Sequence, residues 1–164
     1  MKPLSPEDIR RSMVNATRGE IDRMPLPGLH EMIWEDREYL GWHDARAPLR
    51  GYLVHWLDDR PVGIQLRAAD SRMSPGIAAM CSLCRTPQPG DQVRLFTAAR
   101  SGESGRNGNT VGTYICADLA CSLIIRITPP ASVMQPDPAA VVAARAEGLY
   151  TRVRNFTADI MKSA

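Results

Sequence analysis

Lysine is nearly absent from this chain: Lys2 and Lys162 are the only two, and arginine carries almost all of the positive charge. A planar guanidinium pairs with phosphate and carboxylate through two bonds at once, so the bias would suit an RNA-rich partner, although genomic base composition is its simpler source. Long apolar runs are missing too. None approaches the roughly 18 residues that a membrane span requires. The first eight residues, Met1 to Asp8, hold no apolar h-region and no cleavage pattern, so a cytoplasmic, soluble protein is expected. With 23% charged residues and a formal net charge of +2, no polyelectrolyte field announces nucleic acid or an acidic membrane. The usual catalytic constellations are also lacking: there is no Ser-His-Asp grouping, no glycine motif to cradle phosphate before a helix, and no acid pair beside a histidine. His30, His43 and His55 are scattered and none has ligand-like spacing. The expectation is a protein that is not an enzyme, takes no small-molecule substrate, and at 164 residues builds one core or a small module with a helical appendage.

Cysteine is scarce but ordered. Cys81 and Cys84 form one pair and Cys116 and Cys121 a second, with thirty-one residues between the pairs. A two-residue gap lets both thiolates of a knuckle turn toward one ion, and a second pair on another element completes a sulfur tetrahedron of the softness that Zn(II) accepts. Disulfides would need an oxidising compartment. A thioredoxin-like pair leaves the second pair of cysteines unexplained. An iron–sulfur cluster takes the same ligands at more clustered spacings. The favoured reading is structural zinc on Cys81, Cys84, Cys116 and Cys121, a closed site with no position left for substrate.

Along the chain, Ser5 and Pro6 start a helix that an apolar stripe through Ile9, Met13, Ala16, Ile21 and Met24 carries to Pro25. A short second helix is expected within Leu29 to Leu40. From Arg50 the period becomes two: Tyr52, Val54 and Trp56 alternate with Leu53, His55 and Leu57, then Val62, Ile64 and Leu66 return after Asp58-Asp59 as a hairpin. Ala69 to Ala78 reads as a loop into the knuckle. Between the cysteine pairs, Gln92 to Ala98 and Val111 to Ile115 read as strands around a glycine-rich turn from Gly102 to Asn109, and Cys121 opens a helix. Knuckle, hairpin and ligand-bearing helix follow each other in the order of a treble clef. Pro129 to Pro138 reads as a linker. Asp137-Pro138 opens a last helix whose face Val142, Ala146, Leu149, Val153, Phe156 and Ile160 packs on the hairpins, with a dimer seam as the alternative. The fold class is α+β: an N-terminal helical segment over 1–40, a treble-clef zinc-finger domain over 41–130, and a C-terminal helix over 131–164 packed on it.

Four segments carry a family resemblance: Tyr39 to Asp44, Pro61 to Ile64, Met80 to Cys84, and above all Gly108 to Ser122. Over about Glu31 to Ile127 the chain resembles the C-terminal treble-clef zinc-finger domain of the FusB-type elongation factor G-binding proteins, in the single-domain form found in actinobacteria. The resemblance implies a cytoplasmic protein that binds elongation factor G, as resistance members do when fusidic acid traps the factor on the ribosome. Those members carry a larger N-terminal helical bundle, where only about forty residues precede the hairpin here. At the hairpin positions where the family places aromatic and basic contacts, this chain has Arg106, Asn107 and Thr110.

The tip from Arg100 to Asn109 is the expected partner contact, because glycines allow close backbone approach and Arg100 and Arg106 can fork onto an anion. Arg94, Phe96, Asn107 and Tyr114 complete the candidate partner-binding set. A solvated turn is the bland reading of the same tip. Trp34, Trp42 and Trp56 are expected to pack rather than to recognise. A monomeric adaptor for elongation factor G is the leading expectation, and a ribosome- or RNA-binding treble clef is the alternative.

Overall fold

Two capping boxes open the chain. In the computed structural model, which describes residues 1–128, 130–132 and 137–162, the Ser5 hydroxyl accepts from the Asp8 amide at 3.1 Å and the Asp8 carboxylate accepts from the Ser5 amide at 2.9 Å, starting α1 (Pro6–Ser12). Thr17 and Glu20 repeat the device for α2 (Arg18–Arg23). Each reciprocal pair satisfies donors that a helix start leaves unpaired. The sequence predicts one helix from Ser5 to Met24, and the fold divides it. Between α1 and α2 the chain turns to sheet pairing: Met13 bridges to Gly63, the Val14 amide donates to the Gly63 carbonyl at 2.9 Å, and the Asn15 side chain bonds both the amide and the carbonyl of Gln65. Long-range hydrogen bonds win there over continued helix.

The second expected helix is absent. Leu29–Glu31 and Trp34–Asp36 are single 3₁₀ turns, and Leu40 begins a strand, β1 (Leu40–Asp44). β1 pairs with β2 (Ala47–Leu57), which returns through Asp58 as β3 (Arg60–Ala68). Asp58 sits at φ 54°, a left-handed turn conformation that aspartate tolerates better than most residues. A small hairpin, β4 (Ala78–Met80) and β5 (Pro87–Pro89), precedes β6 (Val93–Ala99). One helical turn, α3 (Gly102–Arg106), lies within the expected glycine-rich turn, and β7 (Thr110–Cys116) follows. The large sheet runs β1-β2-β3-β6-β7, antiparallel throughout. After α4 (Cys121–Ile124), the linker expected over 129–138 lies in part outside the described residues. The chain resumes at Asp137, whose carboxylate caps α5 (Pro138–Met161) through the amides of Ala139 and Ala140.

Strand alternation then distributes the core. Leu53, Ile64, Leu66, Phe96 and Ile115 face α5, where Leu149, Val153, Phe156 and Ile160 are buried against them. Leu40, Trp42, Tyr52 and Val54 face the N-terminal segment and bury Leu4, Ile9, Met13 and Met24. The apolar face of α5 therefore packs on the sheet. Trp42 stacks on Tyr52 with ring centroids 5.1 Å apart and donates from its indole to the Pro25 carbonyl at 2.8 Å, which is packing as expected. Among the described residues no helix is long and apolar enough to cross a membrane.

His55 joins sheet to α5. It is fully buried, with Nδ1 3.1 Å from the Trp56 carbonyl and Nε2 2.8 Å from the Thr157 hydroxyl. A carbonyl only accepts, so Nδ1 carries the proton and Nε2 accepts from Thr157. Burial, with a smaller contribution from the Arg154 charge, pushes its pKa down to about 4, against a partial upward pull from the Trp56 carbonyl. The unfolded chain therefore takes up a proton near pH 6.5 that the folded chain refuses until about pH 4. Stability is expected to be full above pH 6.5 and to fall by about 3 kcal/mol as the pH drops toward 4. Urea titrations of wild type and His55→Gln across this range check it: a slope common to both proteins would assign the acid loss elsewhere.

Candidate metal centre

The β4–β5 hairpin exists to present a knuckle. Its register pairs Ala78 with Pro89, Ala79 with Gln88 and Met80 with Pro87, leaving Cys81 and Cys84 in the turn. The Cys84 amide points at the Cys81 sulfur at 3.4 Å, and the Arg85 amide closes the turn on the Cys81 carbonyl at 2.9 Å. Cys116 ends β7 and Cys121 begins α4, as the sequence order implies. The intervening loop is held by the Ala120 amide on the Asp118 carboxylate at 2.9 Å and by Leu119 in a left-handed conformation. Gly41 of β1 lies directly beneath it: a Cβ there would stand 2.6 Å from the Leu119 carbonyl oxygen, so only glycine lets the loop seat on the sheet.

All four cysteines are buried and none forms a disulfide. Their sulfurs lie within 4.8 Å of one another, with Cys81 to Cys121 at 3.6 Å and Cys84 to Cys116 at 3.5 Å. Metal–sulfur bonds of about 2.3 Å in a tetrahedron set sulfur–sulfur separations near 3.8 Å, so the cluster has the size and donor set of a single-ion thiolate site. It is the only such grouping of His, Cys, Asp and Glu among the described residues. Without a cation the four groups must share protons. Hydrogen bonding, from Cys116 first, holds the Cys84 thiol below its ordinary range, while the Cys121 thiol is pushed up by the contact with Cys116 and then by Cys81. A divalent ion removes that conflict by holding all four as thiolates.

Donors surround the sulfurs. Gln88 Nε2 donates to the Cys116 sulfur at 3.2 Å, an outer contact that fixes a ligand and spreads its charge. The Tyr39 hydroxyl, in a fully buried ring, accepts from the Cys121 amide at 3.3 Å. Burial and the neighbouring Cys121 keep that phenol well above its usual range, so it stays neutral. His43 Nε2 stands 2.8 Å from the Ala117 carbonyl and, being opposite an acceptor, donates to it. None of these contacts shows in sequence periodicity, although the CxxC pair marks the knuckle that Gln88 follows.

Arg126, at the end of the treble clef, was equally invisible. Its guanidinium forks onto Glu38 at 2.8 and 2.9 Å, reaches Asp36 at 3.2 Å, and donates to the Ser122 carbonyl at 2.9 Å. Glu38 is nearly buried, so this clamp ties the segment before β1 to α4. Arg126→Ala leaves that carboxylate without its partner and is expected to cost about 2 kcal/mol. Arg126→Lys should recover less than half, because an ammonium cannot reproduce the fork. Urea midpoints of the two variants measure both effects, and equal recovery by lysine would refute the bidentate role.

The candidate partner residues separate. Arg94 and Phe96 are corrected: both are buried, Arg94 with its guanidinium on the carbonyls of Ala69 and Asp70, and Phe96 in the core facing α5. Strand parity alone could not assign their faces, and sheet packing does. Arg100 is drawn onto the C-terminal end of α5 through the Asp159 backbone carbonyl and, at 3.6 Å, its carboxylate. Arg106 and Asn107 are exposed at the tip, and Tyr114 is 45% exposed on β7. Met80 and Ile77 are exposed beside the knuckle, which sequence reasoning did not single out.

The family model for the FBP C-terminal treble-clef zinc-finger matches residues 8–160. That span reaches well beyond Glu31 to Ile127, because α1, α2 and α5 belong to the same packed unit. Among solved structures, the fusidic acid resistance protein FusC is similar at a TM-score of 0.59 and 18% identity, over 93% of this chain and 58% of that one. At that identity the likeness is one of fold, and this chain spans little more than half of FusC. A comparison with curated proteins finds no match.

Proposed function

Because the chain belongs to the FBP C-terminal treble-clef zinc-finger family, we propose that it is a zinc-stabilised module that binds elongation factor G and acts on translation, in the manner of a fusidic-acid-resistance protein. The family match over residues 8–160 is the observation that carries this reading. Zinc is the ion, since four thiolates and no other donor suit it best among abundant divalent metals. Its role is structural: a closed four-sulfur site leaves no position for water or substrate, and the module works by surface complementarity without catalysis. The cytoplasm, where the factor resides, is its place of action.

With Arg94 and Phe96 committed to the interior, the contact falls to Arg106, Asn107 and Tyr114 on the hairpin and to the exposed apolar side chains beside the knuckle. Titration calorimetry of zinc-loaded protein into purified elongation factor G tests the proposal. Binding at micromolar concentrations or tighter is expected, and no heat at tens of micromolar would overturn it. Arg106→Ala with Tyr114→Ala should weaken binding by about tenfold or more at unchanged stability, as expected for exposed interface anchors.

A further inference from the structure

One cleft combines positive charge with an absence of acid. Between the knuckle and α5, Cys84, Arg85, Thr86 and Pro87 face Val141, Ala144, Arg145 and Arg152 across a cavity of about 430 Å³. Three arginines line it and no carboxylate does, and none of the three forms an ion pair among the described residues. Two of them are already anchored by one nitrogen. Arg152 donates from Nε to the Leu83 carbonyl, and Arg145 donates to the Ile127 carbonyl at 3.2 Å, which leaves further N–H groups of each free.

Two backbone positions carry a cost that these side chains explain. Arg85 stands at φ 60°, where a Cβ crowds the following carbonyl and where a knuckle would more comfortably place glycine or asparagine. The turn needs that conformation to close on Cys81, yet the chain keeps an arginine there. Gly148 interrupts α5, where glycine is the poorest helix former after proline. A Cβ at 148 would lie 2.9 Å from one guanidinium nitrogen of Arg152 and 3.0 Å from the other, so the missing side chain is the room in which that guanidinium lies. A strained arginine and a helix-weakening glycine that gives a second arginine room both lie beside this cleft, which points to use of the cleft.

We propose that this cleft binds the phosphoryl group of a nucleotide, free or within an RNA strand. Guanidinium forks match phosphate oxygens in pairs. The space exceeds what a single carboxylate side chain fills and falls within the range of small-molecule pockets. Pro87, Val141 and Ala144 add apolar lining that suits the face of a sugar or base.

Fluorescence anisotropy of a labelled single-stranded RNA hexamer on the zinc-loaded full chain, with competition by ATP, inorganic phosphate and polyglutamate, tests the site. Arg85→Gly relieves the backbone and should melt no lower than wild type, and both it and Gly148→Ala, whose Cβ displaces the Arg152 guanidinium, should bind RNA about fivefold or more weakly. The salt slope should drop by about 0.7 for each phosphate contact removed. RNA tighter than ATP by tenfold or more assigns the cleft to a strand, and equal affinity assigns it to a free nucleotide. The proposal is overturned by no RNA or ATP binding up to about 1 mM, by binding unchanged in both variants, or by competition from polyglutamate alone. Zinc loss to a chelator, measured in parallel, separates the remaining role: if Arg85→Gly speeds zinc loss with RNA binding intact, the arginines serve only as counter-charges to the thiolates.

Discussion

Removing the metal with a chelator is expected to unfold the chain. Structural zinc contributes on the order of 10 kcal/mol to domains of this kind, and a whole domain is stable by only about 5 to 15 kcal/mol. The four cysteines are not an annex to the core. They belong to the same buried cluster as Leu83, Val93, Ile115, Leu119, Ile125 and Leu149, so releasing the ion leaves four buried sulfurs in conflict at the centre of the packing against α5. The second cluster, around Ile9 and Tyr52, shares β2 with the first and should not survive alone. Far-ultraviolet circular dichroism during titration with a strong chelator should show a cooperative loss reversed by added Zn(II). Cys116→Ser, which replaces the thiolate that Gln88 bonds with a hydroxyl that holds zinc poorly, should mimic it at low zinc concentration. A spectrum unchanged by complete metal removal would refute the structural role.

Phe96→Ala is expected to destabilise the protein by about 3 to 5 kcal/mol, the usual cost of emptying an aromatic site in a core. Phe96 pairs with Thr113 on β7 and with Ala68 on β3, the latter one of only two register pairs that join the β1–β3 half of the sheet to the metal-bearing half. Its ring lies beside His43 at a 6.0 Å centroid distance and beneath Gly51. Truncation therefore loosens the seam between the halves as well as opening a void. Thermal or urea unfolding of the zinc-loaded variant gives the number. Had the ring been an interface anchor, the same substitution would leave stability within about 0.5 kcal/mol and abolish partner binding, and that outcome would return Phe96 to the partner surface.

Both results bear on what could be read from residue order. Strands β2, β3, β6 and β7 were legible because alternation at period two is a direct consequence of pleating, and α5 because Leu149, Val153, Phe156 and Ile160 recur at helical spacing. The ligand set was legible for a chemical reason: four cysteines in two short-spaced pairs offer the donor set and spacing of a tetrahedral thiolate site. The stretch from Leu29 to Leu40 misled, since its local helical spacing competes with strand pairing at Leu40 and with the Trp34 and Arg37 carbonyls turning to other partners. Arg94 misled because an arginine on a hairpin strand reads as exposed, while its stem can be buried if carbonyls receive the charge, as those of Ala69 and Asp70 do.

By itself, then, the order of residues determined the metal ligands, the hairpins, the capped last helix and the family resemblance, all of which rest on chemistry or periodicity within short segments. Tertiary structure alone decided which face each strand turned inward, how Arg126 clamps Glu38 across some ninety residues, and which arginines gather at the knuckle. Those are distances between remote segments, and no local pattern encodes them until the sheet and α5 have closed around the four cysteines.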